Sequence, residues 1–236
     1  MRSILGIDTA SPRGSVALTV DGVLRATVEL PAGRHSSELA LHAERLVRDS
    51  GLSLPSLTGI AVSGGPGSFT GLRIGLAWAK GVALGAGTPL ALVSAHEAAA
   101  VAANAEGCLR VTVTPGERRE VEIALWAAAP AAAAGERSTP APAAPRLLRE
   151  PQSVPELDLA EAIALLTNGA RYVALPSNDV LAALLNEDDL PRRPPVLLAP
   201  AVASVGDRLL SEGASSDVFL AAPAYGRAPN ARKPGT

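Results

Sequence analysis

A glycine-rich stretch between a predicted strand and a predicted helix is the first candidate for chemistry. It reads SGGPGSFTGLRIG, from Ser63 to Gly75. Backbone N–H groups of Gly64, Gly65 and Gly67, together with the N-terminus of the following helix, could hold an anion such as phosphate. The stretch nevertheless matches neither the Walker A pattern, which requires a Lys-Ser/Thr pair, nor the dinucleotide fingerprint G-x-G-x-x-G.

An acidic residue at the end of the first predicted strand is the second candidate. Asp8 and Thr9 occur in GIDTASPRGSVAL, where an acid and a hydroxyl enter a turn between two strands. Such a turn could meet a nucleotide phosphate or its Mg²⁺. An ordinary hairpin with a capping aspartate explains the same residues equally well, so both interpretations stay open.

The histidines do not form a metal-binding pattern. His35 and His42 are seven residues apart, which is about 10 Å along a helix and too far for one metal ion. His96 stands alone, and the chain has no G-x-S-x-G elbow. A hydrolase triad is therefore poorly supported. The sequence predicts no metal site and no catalytic residue.

The composition is that of a globular protein, with 47% hydrophobic residues, 19% charged residues and a net charge of −2. That charge argues against a chain that binds nucleic acid on its own. The single cysteine, Cys108, excludes an internal disulfide and fits a reducing compartment. The longest apolar stretch contains Arg73 and Lys80, so it is not a membrane span, and Asp8 comes too early for a signal peptide. We expect a cytoplasmic protein with no membrane contact.

Hydrophobic periodicity predicts the order β-β-β-α-β-α-β-α for residues 1–105. Asp21-Gly22 is a strong hairpin signal between the second and third strands. Hairpin strands followed by α/β crossovers predict an α/β fold with a mixed sheet covered by helices. The predicted strands span residues 3–8, 15–20, 23–30, 59–63 and 90–93, and the predicted helices span about 36–50, 71–85 and 95–105.

Residues 106–236 are predicted to form a smaller, divergent second lobe, whose C-terminal helix and tail could return to the first lobe. Strands are expected at 109–113, 121–126 and 172–175, and helices at 159–166, 180–185 and 201–210. The Ala/Pro-rich residues 127–145 predict a low-complexity surface loop whose role is open.

Two rows of small residues run along the helix at 71–85. Gly71, Gly75, Ala79 and Ala83 form one row, and Ala77, Gly81 and Gly85 form the other. Residues four apart lie on one ridge of a helix, and small side chains allow close approach of another backbone. Each interior glycine costs about 1 kcal/mol relative to alanine, which close packing would offset. The packing partner could be the chain's own sheet, another subunit, or both.

Several of these stretches resemble the TsaB (YeaZ) family, bacterial subunits of the tRNA threonylcarbamoyladenosine machinery. The resemblance covers residues 3–100, including ILGIDTASPRGSVAL, PLALVSAHEAA and the highly specific GPGSFTGLRIG. The C-terminal APAYGRAPNARKPG resembles the family's closing Tyr-x-Arg segment. Residues 106–200 match poorly, and there Glu120 and Glu122 stand at the positions where the family commonly has a Glu and a Tyr.

The resemblance implies a two-lobed actin-like ATPase (ribonuclease H-like) fold. It also implies a non-catalytic scaffold or activator subunit that pairs with a TsaD-like catalytic subunit, with a TsaE-like ATPase as a further partner. The assembly transfers a threonylcarbamoyl group to the adenosine next to the tRNA anticodon. The chain would then meet tRNA indirectly, and homodimers through the same face are an expected alternative state.

Site residues follow from the same resemblance. Ala10 stands where active members of the superfamily often have glycine, which disfavours close phosphate approach. The nucleotide cleft is therefore expected to be vestigial, with no cofactor required and weak ATP or ADP binding at most. Its residues are Asp8, Thr9, Gly64, Gly65 and Gly67. The partner interface is carried over to the helices at 36–50 and 71–85, with Leu39, Ala43, Leu46, Gly71, Gly75 and Ala79 as its residues.

Two other functions are weighed against this one. An actin-like small-molecule kinase or ATPase would use Asp8, Thr9 and the turn at 64–67. A glycoprotease-like peptidase is the remote alternative, because the sequence offers it neither a metal pair nor a triad.

Overall fold

A computed structural model describes residues 1–103, 107–116, 119–128, 145–185, 192 and 196–224. They form two lobes, each built on one mixed sheet. The elements of the first half are β1 (Ser3–Asp8), β2 (Ser15–Val20), β3 (Val23–Glu29), α1 (His35–Asp49), β4 (Gly59–Gly65), α2 (Phe69–Ala86), β5 (Leu90–Ser94) and α3 (Ala95–Ala102). The predicted α/β class and the order β-β-β-α-β-α-β-α are confirmed.

The second half of the chain begins with three strands, of which the sequence predicted the first two and missed the third. They are β6 (Leu109–Pro115), β7 (Glu120–Trp126), β8 (Leu147–Pro155), α4 (Leu159–Thr167), β9 (Tyr172–Pro176), α5 (Asp179–Leu184) and α6 (Ala199–Ser211). Strand β8 was missed because its sequence, LLREPQSVP, contains two prolines and has mostly exposed side chains. Those are properties of an edge strand, and β8 is the edge of its sheet.

The first sheet has the order β3-β2-β1-β4-β5. β1 pairs antiparallel with β2 and parallel with β4, and all six of its residues are buried. The β2–β3 hairpin turns at Asp21 and Gly22, both with positive φ (49° and 75°), as a tight two-residue turn requires.

Helices cover both faces of this sheet. On one face α1 and α2 bury a core around Leu5, Ile7 and Val62. On the other face α3 and α6 pack against Ile4 and Ala61. A Cβ on Gly6 would overlap the backbone of α6, so glycine in the middle of β1 lets this helix lie close to the sheet.

α6 therefore belongs spatially to the first lobe, although it comes from the end of the chain. The C-terminal segment, residues 214–224, continues along the same lobe. Ser216 N donates to the carbonyl oxygen of Leu90 at 2.7 Å, which covers part of the β5 edge, and Ala224 N donates to the Gly64 carbonyl oxygen at 2.7 Å.

The second sheet has the order β8-β7-β6-β9. β6 pairs antiparallel with β7 and parallel with β9, so this lobe repeats the hairpin-plus-crossover topology of the first without a visible sequence repeat. α4 and α5 cover one face and bury Ile123, Ile163 and Leu181. Residues 129–144 of the predicted Ala/Pro-rich loop, and the Tyr-x-Arg tail at 225–236, lie outside the described residues.

Candidate functional site

The first candidate site is the cleft between the lobes. A cavity of about 600 Å³ is bordered by the β1–β2 turn, the start of α2 and the end of β6. Thr9, Ser11 and Ser68 line it from the first lobe, and Gly116 and Asn178 line it from the second. Ser68 and Asn178 also cap α2 and α5 by accepting backbone N–H groups, so both helices begin at this cavity.

Asp8 is held away from the cavity by its own turn. Its side chain is fully buried, and its carboxylate accepts hydrogen bonds from the Ser11 hydroxyl and from Ala10 N, the latter at 3.0 Å. Burial raises the pKa of Asp8 above its ordinary value, and the hydrogen bonds from Ser11 and Ala10 act in the opposite direction. The structure thus uses this carboxylate to organise the turn.

The β1–β2 turn is also packed directly onto the glycine-rich turn. Ser68 N donates to the Ala10 carbonyl oxygen at 2.9 Å, and a Cβ on Gly67 would lie 2.8 Å from the Ala10 Cβ. Backbone groups of the two turns therefore bond to each other at this point. Ala10 lies so close to Gly67 that no side chain fits on Gly67.

The five residues predicted to form one nucleotide cleft are divided between two cavities. Thr9 and Gly67 line the large cavity, whereas Asp8 is not among its lining residues. Gly64 and Gly65 line a separate cavity of about 330 Å³, together with His96, Glu122 and Ala224. The structure does not bring the five together around one space.

His96 forms buried hydrogen bonds between the two lobes, and the sequence did not predict this contact. Its Nδ1 lies 2.8 Å from Thr112 Oγ1 and its Nε2 lies 3.2 Å from Thr114 Oγ1, both on β6. Thr112 Oγ1 also accepts from Trp126 Nε1 at 3.1 Å and donates to the Ala124 carbonyl oxygen at 3.4 Å. The Thr112 hydroxyl therefore links the His96 imidazole, the Trp126 indole and the β7 backbone in one buried network.

The predicted partner-interface residues are not at the surface, and this prediction requires correction. All six are buried inside the chain. Gly71 and Gly75 face the β1–β2 turn, where a Cβ on either would collide with Thr9. The chain's own sheet is therefore the packing partner of the first small-residue row. The four others, Leu39, Ala43, Leu46 and Ala79, belong to the core beneath α1 and α2.

The second small-residue row faces outward instead. Ala77, Gly81 and Gly85 are exposed, and Leu84 beside them is 51% exposed. Within the described part of the chain, no atom outside the neighbouring helix backbone lies within 4 Å of a Cβ built on Gly81 or Gly85. The face of α2 that carries Ala77, Gly81, Leu84 and Gly85, called here the α2 outer face, thus has no internal packing that explains its glycines.

Over the described residues, no group of three or more His, Cys, Asp or Glu side chains is arranged to hold a metal ion. No helix in that part of the chain combines the length and the apolar character needed to cross a membrane.

Two lobes, each with a hairpin-plus-crossover mixed sheet and a cleft between them, define the actin-like ATPase class of fold. A solved structure of YeaZ from Pseudomonas aeruginosa shares the fold, with a TM-score of 0.76 at 22% identity, over 95% of this chain and 100% of that one. The family described as "TsaD: tRNA N6-adenosine threonylcarbamoyltransferase" matches residues 29–121.

Curated relatives match the first lobe in sequence. The tRNA threonylcarbamoyladenosine biosynthesis protein TsaB of Escherichia coli (strain K12) is 44% identical over 91 residues, 39% of each chain. The protein of the same name from Haemophilus influenzae is 36% identical over 101 residues, 43% of each chain. The matched part spans about two-fifths of these relatives. The sequence likeness to TsaB proteins thus lies in the first lobe, and the likeness of fold to YeaZ extends over both lobes.

Proposed function

We propose that this chain is a non-catalytic subunit of the complex that transfers a threonylcarbamoyl group to the adenosine next to the tRNA anticodon. In this proposal it pairs with a TsaD-like catalytic subunit through the α2 outer face and the adjoining exposed side of α1. The likeness to TsaB proteins supports the reaction. One structural observation carries the pairing surface: Gly81 and Gly85 are exposed inside a helix, and no described residue packs against them.

That observation discriminates between the two rows of small residues. A glycine inside a helix costs about 1 kcal/mol relative to alanine. Gly71 and Gly75 offset this cost by allowing α2 to approach Thr9. Gly81 and Gly85 gain nothing comparable from the described residues, so a second backbone that approaches α2 from outside is the physical explanation that remains. Leu41 on α1 is 60% exposed, so the helix that packs beside α2 also presents a large apolar side chain to solvent.

The family match indicates what kind of partner fits. Residues 29–121, which match the TsaD description, include α1 and α2. A TsaD-like subunit would then carry a comparable helix pair, and two similar faces can pack about an approximate twofold axis. A second copy of this chain could use the same face, so a homodimer would compete with the heterodimer.

The interlobe cleft supports a structural role in the free subunit. The Asp8 carboxylate bonds to its own turn, and Ala10 packs against the glycine-rich turn. We therefore assign no catalytic residue and no required cofactor to this chain, with weak ATP or ADP binding as the upper limit. The catalytic subunit, a TsaE-like ATPase and most of the tRNA contact would come from the partners, in the cytoplasm where tRNA is modified.

A change at Gly81 tests the pairing surface. Gly81→Leu should leave the chain folded but weaken its complex with a purified TsaD-like subunit by about tenfold or more, because the larger side chain holds the two backbones apart. Ala164→Leu, an exposed position on α4, is the matched control and should have no effect. Dissociation constants from calorimetry and masses from light scattering measure both. If wild-type protein forms no complex, or if Gly81→Leu binds as wild type does, the pairing surface is wrong.

A small-molecule kinase or ATPase is the second candidate, favoured by the hydroxyls of Thr9, Ser11 and Ser68 around a cavity of about 600 Å³. Calorimetry with ATP and Mg²⁺ separates the two proposals. Tight binding followed by turnover in the isolated chain would favour the enzyme, whereas weak or undetectable binding agrees with the scaffold.

A further inference from the structure

A turn in the C-terminal segment is attached to the side of α2. Lys80 Nζ donates to the carbonyl oxygen of Phe219 at 3.3 Å and to that of Ala221 at 3.1 Å. Two backbone carbonyls from the end of the chain are thus held by one side chain of α2.

The turn itself is ordered by its own hydrogen bonds. Asp217 Oδ1 accepts from Phe219 N at 2.8 Å and from Leu220 N at 3.4 Å, and Ala221 N donates to the Asp217 carbonyl oxygen at 2.7 Å. Val218 and Ala221 pack against the core of the first lobe. Phe219 and Leu220 point the other way, and each is 79% exposed. A fixed turn therefore displays two large apolar side chains to the outside.

The position of Lys80 on α2 places the turn with Phe219 and Leu220 beside the α2 outer face. Ala77 precedes Lys80 by three residues and Leu84 follows it by four, and residues at these spacings are neighbours on a helix surface. Both neighbours are exposed. Lys80 thus holds the turn that carries Phe219 and Leu220 beside the helix face that carries Ala77 and Leu84. Exposed apolar side chains that gather in one region mark interaction sites.

We propose that Phe219 and Leu220 form a second part of the surface that binds the TsaD-like subunit, and that Lys80 positions them. The inference rests on the proposed function. Its occupant is the TsaD-like subunit because Lys80 holds the two side chains beside the α2 outer face. The small residues of α2 admit a partner helix closely, and the two large side chains at the rim would pack against that helix's flank. Aromatic and large apolar anchors commonly dominate the binding energy of such interfaces.

The experiment uses the full chain and a purified TsaD-like subunit from the same organism. The double variant Phe219→Ser/Leu220→Ser should raise the dissociation constant about tenfold or more. The matched control is Leu157→Ser/Leu165→Ser, two residues of the second lobe that are 96% and 75% exposed, and it should bind within about twofold of wild type. Thermal melting checks that both variants fold.

Lys80 supplies an independent test of positioning. Lys80→Met keeps the aliphatic stem but removes the donors, and should weaken binding; Lys80→Arg keeps donors to the two carbonyls and should restore most of the affinity. A photoreactive phenylalanine analogue at position 219 should crosslink to the TsaD-like subunit, and the same analogue at position 165 should not.

The outcomes distinguish this inference from the proposed function. If wild type binds and the Phe219/Leu220 variant binds equally well, the inference fails and the proposed function stands. If crosslinking at position 219 joins two copies of this chain and never the TsaD-like subunit, the inference also fails. If wild type forms no complex at all, the proposed function fails and takes the inference with it.

Discussion

Thr9 and Gly71 join the first turn of the sheet to the start of α2. Thr9 Oγ1 donates to the Gly71 carbonyl oxygen at 2.7 Å, and a Cβ on Gly71 would collide with the Thr9 carbonyl group. Gly71→Ala should therefore force the backbone apart and destabilise the chain by about 1–3 kcal/mol. Urea denaturation of the purified variant measures the loss. A variant as stable as wild type would show that α2 can move away from the turn without cost.

The opposite result is expected ten residues further along the same helix. Gly81→Ala adds a methyl group where no described atom outside the helix backbone lies within 4 Å. It should stabilise the isolated chain by about 0.5–1 kcal/mol, since alanine favours the helix over glycine. The same denaturation experiment checks the sign. Comparing Gly81→Ala with Gly71→Ala distinguishes a glycine packed inside the chain from one exposed to solvent. A lower free energy of unfolding for Gly81→Ala than for wild type would contradict the exposed position of Gly81.

Asp8 should make the stability of the chain depend on pH. Burial raises its pKa above the ordinary value of 3.8, so its contribution is fully present below the unfolded pKa and is lost as pH rises through the folded pKa. Asp8→Asn removes this titration. The free energy of unfolding of the variant should therefore improve relative to wild type as pH increases from about 4 towards neutrality. Denaturation curves at several pH values test this, and a constant difference between the two proteins would contradict it.

The Thr112 hydroxyl should stabilise the hydrogen-bonded contact between the two lobes. Thr112→Val leaves the Trp126 Nε1 proton without its acceptor and removes the hydroxyl that bonds His96 Nδ1, and a buried unsatisfied polar group costs about 1–3 kcal/mol. Thr114→Val removes a single, longer contact to His96 and should cost less. Unfolding followed by tryptophan fluorescence compares the two. Equal losses would show that the Thr112 hydroxyl has no special place in the network.

The first lobe was predictable because its signals are local. The Asp21-Gly22 turn, the amphipathic α1 and the buried strands each carry their pattern within a few residues. β8 gave no such signal, since an edge strand with mostly exposed side chains and two prolines lacks alternation.

The sequence could not show which face of α2 is exposed. α2 has two rows of small residues, and the sequence of the helix alone does not show which row meets the chain's own sheet. That choice depends on Thr9, which lies 62 residues before Gly71. The arrangement of the cleft residues was not predictable for a related reason: Thr9 and Gly67 reach one cavity, whereas Gly64 and Gly65 border another, beneath the C-terminal segment.

The packing of α6 has a consequence for how the protein is made. Ile4 and Ala61 are covered in part by a helix that begins at Ala199. A ribosome therefore releases the first five strands long before it releases the helix that closes one face of their sheet. Domains generally fold as units during synthesis, but here the first lobe is begun first and completed last. Until residues 199–211 emerge, the nascent chain carries an incompletely covered apolar sheet.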